Sequence, residues 1–263
     1  MLRMKQSKNP PDNAYPERDS KTTDKELLWP FLSHDSSQQT SSLRLARSVI
    51  RNIQEETGPR KLTILDLGCG IGRSFDQLAG HDALIEWIGL DILASPEVGA
   101  RNDRKLPLVA YDGISIPFRD RSIDIVYSHQ VFEHVRHPAA LLSEINRILR
   151  PGGLLVGSTS HLEPFHSRSL WNYTPYGFSV LLHDADFCEI AVRPGIDGIT
   201  LITRRLLGYL KLPFLNWAFE HESPLNAMFE LACRLARVEV KRRLALKLLF
   251  AGHFVFLGRK ASN

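Results

Sequence analysis

Cysteine is scarce in this chain: Cys69, Cys188 and Cys233 are the only three in 263 residues, far apart and in apolar stretches. That excludes a cysteine metal set and a disulfide framework, and it favours a reducing compartment such as the cytoplasm. No run approaches the roughly 18 continuous apolar residues of a membrane-spanning helix. The opening MLRMKQSKNPPDN has no apolar secretory core. His161-x-Glu163-x-x-His166 is a weak metal-site pattern, and nothing in the sequence demands a metal, so none is expected.

Charge is ample but uneven. The net formal charge is +4, yet the residues from Arg193 onward hold 12 Lys/Arg against 5 Asp/Glu, leaving the earlier part net acidic. Such asymmetry suits an anionic partner, whether a membrane surface, a phosphorylated substrate or a nucleic acid, or else a solvated basic face. The length suits one globular domain with an elaboration.

Residues 1–40 are rich in Pro, Ser, Asp, Lys and Gln and read as a flexible N-terminal segment, interrupted by the apolar island Leu27-Leu28-Trp29-Pro30-Phe31. The island either packs on the core or folds as a lid. Ser41 or Ser42 caps a helix to about Glu56, whose buried stripe is Ala46, Val49, Ile50 and Ile53. Strands are expected at Leu62–Leu67, Ile85–Leu90, Leu106–Tyr111, Ser122–Ser128, Leu154–Ser158, about Glu189–Arg193 and Phe250–Arg259. Helices are expected from Arg73 to about Gly80, along Leu141–Ile148, and over Pro175–Asp184. About 55 residues lie between the last two strands, and helical spacing there (Leu225, Met228, Phe229, Ala232, Leu235) predicts a helical insertion over about 195–249.

The stretch that organises the chain is LTILDLGCGIGRSF, residues 62–75. An apolar strand ends near Asp66; Gly68, Gly70 and Gly72 follow at alternate positions, and a helix begins. Glycines admit positive φ and close approach of a ligand to the main chain. The dinucleotide fingerprint G-x-G-x-x-G does not fit, because the third glycine comes one residue early and Asp66 would repel a pyrophosphate. An acid here suits a ligand with a cationic amine and no phosphate. A second acid, Asp91, ends the next strand, where α/β sheets bind ribose hydroxyls; Asp112-Gly113 ends the third.

The run D-L-G-C-G-x-G resembles motif I of the class I S-adenosylmethionine-dependent methyltransferases. F-R-D-x-S-I-D-I-V-Y-S-x-x-V-F-E-H-V (118–135) and L-R-P-G-G (149–153) resemble the methyltransferase type 11 subfamily, which contains quinone-ring methylases. The likeness covers residues 60 to 160. It implies an α/β, Rossmann-like, doubly wound sheet of seven strands with the last strand antiparallel and a helical insertion before it, within a methyltransferase domain over 41–263. It implies S-adenosyl-L-methionine as cofactor, held by Asp66, Gly68, Cys69, Gly70, Gly72, Asp91, Ile92, Asp112, Gly113 and His129, with Asp112 receiving the adenine amino group. Glu133-His134 resembles a family-wide pair that supports the site.

The acceptor is less legible. HLEPFHSRSLWNYTPYGF (161–178) follows strand five, where acceptor pockets form on this fold, and His161 or His166 is the expected base. A small-molecule, glycan or lipid-linked acceptor methylated at oxygen is the expectation, with peripheral contact to the inner face of a membrane through the basic, aromatic C-terminal segment. RNA is disfavoured, because Ser128-His129-Gln130-Val131 stands where base-amine methylases carry an asparagine–proline motif. A non-catalytic scaffold or partner protein is the alternative, ahead of a dinucleotide-dependent oxidoreductase. The oligomeric state is not encoded in any pattern.

Overall fold

The computed structural model describes residues 28–32, 41–80, 82–93, 95, 97, 106–211 and 224–262. Seven strands form one sheet: β1 Leu62–Leu67, β2 Ile85–Ile92, β3 Leu108–Tyr111, β4 Ile123–His129, β5 Leu149–Ser160, β6 Phe187–Pro194 and β7 His253–Lys260. Their order across the sheet is β3-β2-β1-β4-β5-β7-β6. β1 to β5 run parallel, and β7 is antiparallel to both β5 and β6. The helices are α1 Ser42–Thr57, α2 Ser74–Leu78, α3 Pro138–Ile148, α4 Pro175–Asp184, α5 Gly198–Tyr209, α6 Pro224–Leu235 and α7 Val240–Leu249. The Rossmann-like α/β expectation and the antiparallel last strand are both met.

The parallel strands are apolar on both sides because helices cover both faces. Alternation along β1 sends Leu62 and Ile64 to one face and Leu65 and Leu67 to the other. The first face is packed by α1 and α2 around Trp87, Ile125, Tyr127, Val156 and Val255. The second is packed by α3 and α4 and is rich in rings: Phe178 is fully buried and its centroid lies 5.2 Å from Phe132, 5.2 Å from Tyr173 and 4.6 Å from Phe256. Truncating Phe178 to alanine would cost about 3–5 kcal/mol.

Several boundaries differ from the sequence reading. Leu149 already pairs with Ile123, so L-R-P-G-G does not simply turn the chain into β5 but forms a bulge within it before Leu154 meets Ile125. Gly152 takes φ 74°, and a Cβ on Gly153 would lie 2.8 Å from the Arg150 carbonyl oxygen. The bulge aims Arg150 Nη1 at Asp124 Oδ2, 2.6 Å away, where Arg60 Nη1 (2.8 Å) and the Thr63 N–H (2.9 Å) also reach the carboxylate. β7 starts at His253, three residues later than expected, because Ala251 and Gly252 turn the chain: the Gly252 N–H donates to the Ile196 carbonyl at 2.7 Å. Cys188 is exposed rather than in apolar surroundings, and none of the three cysteines forms a disulfide.

Leu28 and Leu32 are buried on the second face, and Leu32 bridges to Val192 of β6. Leu28 of the apolar island therefore packs on the core, and the chain just after the island runs along the β6 edge of the sheet. The rest of the N-terminal segment and residues 212–223, with Phe214, Trp217 and Phe219 of the aromatic C-terminal segment, lie outside the described residues. The insertion between β6 and β7 is helical where described. Its basic run is partly spent on structure: Arg243 and Lys247 of α7 reach Glu230 of α6 at 2.9 and 3.2 Å.

Candidate functional site

At the carboxyl ends of β1, β2 and β4 a cavity of about 670 Å³ opens, lined by Ser41, Ser42, Asp66, the loop 68–71, Arg73, Ser74, Glu97, Tyr127 and His129 among others. The strand period assembles it. Asp66 shares the face of Leu62 and Ile64, Asp91 that of Ile85 and Trp87, and His129 that of Ile125 and Tyr127. Three chemistry-bearing side chains from three adjacent strands thus converge at one edge.

The glycine loop is conformationally obligatory. Gly68, Gly70 and Gly72 all lie in the left-handed region, at φ 67°, 53° and 78°. A Cβ on Gly68 would stand 2.4 Å from Val131 Cγ2, and one on Gly72 2.4 Å from Leu106 Cδ1. The Gly70 N–H donates to Asp91 Oδ2 at 3.0 Å, and the Ile92 N–H to Asp91 Oδ1 at 2.8 Å, so the β2 carboxylate holds the loop in shape.

Asp66 is 3% exposed. Its Oδ2 accepts a hydrogen bond from Ser74 Oγ, which itself accepts from Trp87 Nε1 at 3.1 Å. Burial pushes its carboxyl up to about 7; the Ser74 bond opposes the rise and the nearby Asp91 charge adds to it. Two buried carboxylates side by side at the ends of neighbouring strands are the electrostatic complement of a cationic ligand group.

Asp112 sits at the end of β3, exposed, with its Oδ1 accepting the N–H groups of Ile114 (2.8 Å) and Ser115 (2.6 Å). These two bonds hold its carboxyl below the usual range. It caps its own loop, with Gly113 at φ 94° beside it. Ser41 is the N-cap of α1 by position only; the working hydroxyl is Ser42, buried, within 3.2 Å of Tyr127 Oη and 3.0 Å of His129 Nδ1. Ser158 Oγ approaches the same Nδ1 at 2.8 Å. Desolvation and the neighbouring His253 push the His129 imidazolium below its ordinary pKa.

Beyond β5 lies a second polar cluster. Glu163, 8% exposed, is its centre: Oε2 accepts from Ser160 Oγ at 2.5 Å and pairs with His253 Nε2 at 2.6 Å, while Oε1 meets His166 Nδ1 at 3.2 Å and Arg205 Nη2 at 3.3 Å. Burial alone would raise this carboxyl, but the His253 and Ser160 bonds and the charges around it prevail and bring it down to about 2. Glu133 is fully buried, receives Thr159 Oγ1 at 2.9 Å, and has its carboxyl raised by desolvation.

Of the two expected bases, His161 donates Nδ1–H to the Tyr173 carbonyl at 2.9 Å and lies edge-on to Phe254, whereas His166 is engaged by Glu163 and by the ring of His134 at 5.4 Å. Burial lowers the pKa of both. His253 was missed by the sequence reading. It begins β7 opposite Ser160, on the face of Val255 and Ser158, and its only sequence signal is its place at the start of the last strand. Potential ligand atoms of Glu133, His134 and His166 lie within 4.8 Å of one another.

Part of the chain is similar in sequence to known methyltransferases. Residues 65–157 match the model of a methyltransferase domain family, type 11. An uncharacterised methyltransferase of Mycolicibacterium gilvum is 37% identical over 127 residues, 44% of this chain and 48% of that protein. A protein of Mycolicibacterium smegmatis named "Probable S-adenosylmethionine-dependent methyltransferase" is 33% identical over 119 residues, 41% of this chain and 46% of its own length. The chain thus spans about half the length of these curated relatives. Among solved structures, an S-adenosylmethionine-dependent methyltransferase of Archaeoglobus fulgidus superposes with TM-score 0.53 at 17% identity, covering 84% of this chain and 95% of that one. The [4+2]-cyclase SpnF superposes with TM-score 0.51 at 17% identity, covering 89% and 86%. The fold is therefore that of the class I methyltransferases, and the cyclase shows that the same fold carries other chemistry.

Proposed function

We propose that this chain, whose residues 65–157 match a methyltransferase domain family, binds S-adenosyl-L-methionine and methylates an oxygen of a small-molecule, glycan or lipid-linked acceptor. The observation that carries the cofactor reading is the pair Asp66 and Asp91 on one face of adjacent strands: Asp66 and the glycine-rich loop line a cavity of about 670 Å³, and Asp91 holds that loop through the Gly70 N–H. The residues fit that cofactor. Asp66 and the loop amides suit its ammonium and carboxylate, the β2 acid its ribose, and Asp112-Gly113 its adenine edge. No feature of the loop suits a pyrophosphate.

The cofactor supplies an electrophilic methyl carbon on a sulfonium. The chain has to align the acceptor oxygen with that carbon, exclude water, and take up the proton released as the O–C bond forms and the C–S bond breaks. Of the histidines, His253 suits the last task best. Its Nε2–H is held by the Glu163 carboxylate at 2.6 Å, which fixes the tautomer and leaves Nδ1 as the basic atom. It lies on the same sheet face as Ser158 and His129, while His161 is turned to Phe254 and His166 is bound up with His134. Glu163 is then a positioning residue, as the acid is in a catalytic triad.

Calorimetric titration with S-adenosylhomocysteine tests the cofactor reading. Micromolar binding by the parent, lost in Asp91→Ala and in Asp66→Asn with the fold intact by circular dichroism, is the expected result. A folded protein that binds neither S-adenosylhomocysteine nor S-adenosylmethionine would sink the reading and leave a scaffold role.

A further inference from the structure

The helix α5 is amphipathic in the reverse of the ordinary sense. Its Gly198, Thr200 and Leu201 face the protein, while Ile199, Ile202, Leu206 and Tyr209 form one stripe at spacings of three, four and three residues, all at least 44% exposed. The stripe does not stand alone. The Gly198 N–H donates to the Phe250 carbonyl at 2.8 Å, and a Cβ on Gly198 would lie 3.2 Å from the Leu162 carbonyl oxygen, which brings the exposed Phe250 and Leu162 to the start of α5. Phe165, Leu170 and Trp171, in the same post-β5 loop as Leu162, are also exposed, Phe165 by 78%. Contiguous apolar exposure of this extent marks an interaction surface.

Charge identifies the occupant. Residues 161–173 and 197–211 contain two acids, Glu163 and Asp197, and both are 8% exposed, with Glu163 bound to histidines and Arg205 and Asp197 capping α5. The exposed charges of these segments are the cations Arg168, Arg205 and Lys211. A second copy docked here about a two-fold axis would bring the same surface against itself, cation facing cation with no exposed acid of these segments to answer it. An anionic bilayer answers it: aliphatic side chains enter the acyl boundary, aromatic rings sit at the headgroup level, and Lys and Arg reach the phosphates.

We propose that α5 and the post-β5 loop form an interfacial surface that seats this protein on an anionic membrane. The surface adjoins the Glu163 cluster, which holds the proposed base His253, through Arg205, so it would hold that cluster against the bilayer. It follows that the acceptor is a lipid bearing a hydroxyl near its headgroup, a consequence that rests on the methyltransferase reading, whereas the docking itself does not.

The test is co-sedimentation of the full chain with vesicles of phosphatidylcholine, with and without phosphatidylglycerol, beside S-adenosylhomocysteine calorimetry on the same samples. Binding to the anionic vesicles, weakened by salt and lowered about tenfold in Phe165→Ser/Tyr209→Ser and in Lys211→Glu, is expected, with calorimetry unchanged in both variants. These side chains are on the surface, so the variants keep the core. A folded parent that fails to pellet with anionic vesicles, or variants that pellet as well as the parent, would overturn the proposal. So would a dimer, seen by light scattering, that the same variants disperse. Vesicle binding without S-adenosylhomocysteine binding would keep the surface and sink the enzyme; the converse would sink the surface alone.

Discussion

Two aspartates, each 3% exposed and on neighbouring strands, live in opposite circumstances. Asp124 stands at the amino end of β4, where Arg60, Arg150 and the Thr63 N–H all reach its carboxylate. Asp66 stands at the carboxyl end of β1, where a hydroxyl is its bonded partner and a second carboxylate is its neighbour. The first acid is a clasp, joining the β1 start, the β4 start and the L-R-P-G-G bulge. The second is held at a cost, since burial favours its neutral form. An ionised acid kept where the protein supplies the cations is architecture. An acid kept where it supplies none, at the edge where α/β sheets bind ligands, is the group on which the proposed cofactor reading turns.

Exchanging each for asparagine gives the largest expected contrast. Asp124→Asn leaves two partly exposed arginines facing an amide and should lower stability by about 1–3 kcal/mol while S-adenosylhomocysteine binding by the folded fraction is unchanged. Asp66→Asn should do the reverse. A carboxyl raised from 3.8 to about 7 in the folded state binds its proton more tightly than in the unfolded chain, so its contribution to stability is full below pH 4 and is lost as pH rises through 7. That loss is on the order of 4 kcal/mol. Asp66→Asn should therefore raise the melting temperature at pH 8, leave it unchanged near pH 4, and abolish cofactor binding. Equal thermal shifts at the two pH values would refute this account.

A smaller effect sharpens the same comparison without mutation. A cationic ligand group beside Asp66 favours the ionised carboxyl, so binding below pH 7 releases a proton. Affinity for S-adenosylhomocysteine should rise several-fold from pH 6 to pH 8, and the titration heat should depend on buffer ionisation enthalpy. Flat affinity across that range would remove the role given to Asp66.

Smaller still is the expected effect of Glu163→Gln on ground-state binding. Its carboxyl, lowered to about 2, is ionised at every working pH; the stability it lends is present above pH 4.5 and lost as pH falls through about 2. The variant should bind S-adenosylhomocysteine within about twofold of the parent. If it positions His253, kcat should fall about 10–100-fold, a part of the roughly 10²–10⁴-fold that a general base contributes, and the acidic limb of the pH–rate profile should move. A change in KM with kcat and the pH profile intact would make Glu163 structural only.

The alternation of apolar residues along seven segments, the three glycines that must take positive φ, and the acids ending the first two strands are local properties. They were legible in the chain because period-two burial and glycine's freedom act over a few residues. The ligand edge followed from them, since parallel strands joined by helices share one carboxyl end. Tertiary structure decided the rest. His253 meets Glu163 across 90 residues of sequence only because β7 runs antiparallel to β5 and starts beside Ser160. Ser42, which reads as a helix cap, becomes a hydroxyl on His129 because α1 packs across β4. Arg243, one of the cations that make the C-terminal part net basic, turns inward to Glu230. Long-range pairing sets which side chains meet, and the spacing of residues along the chain carries no record of it.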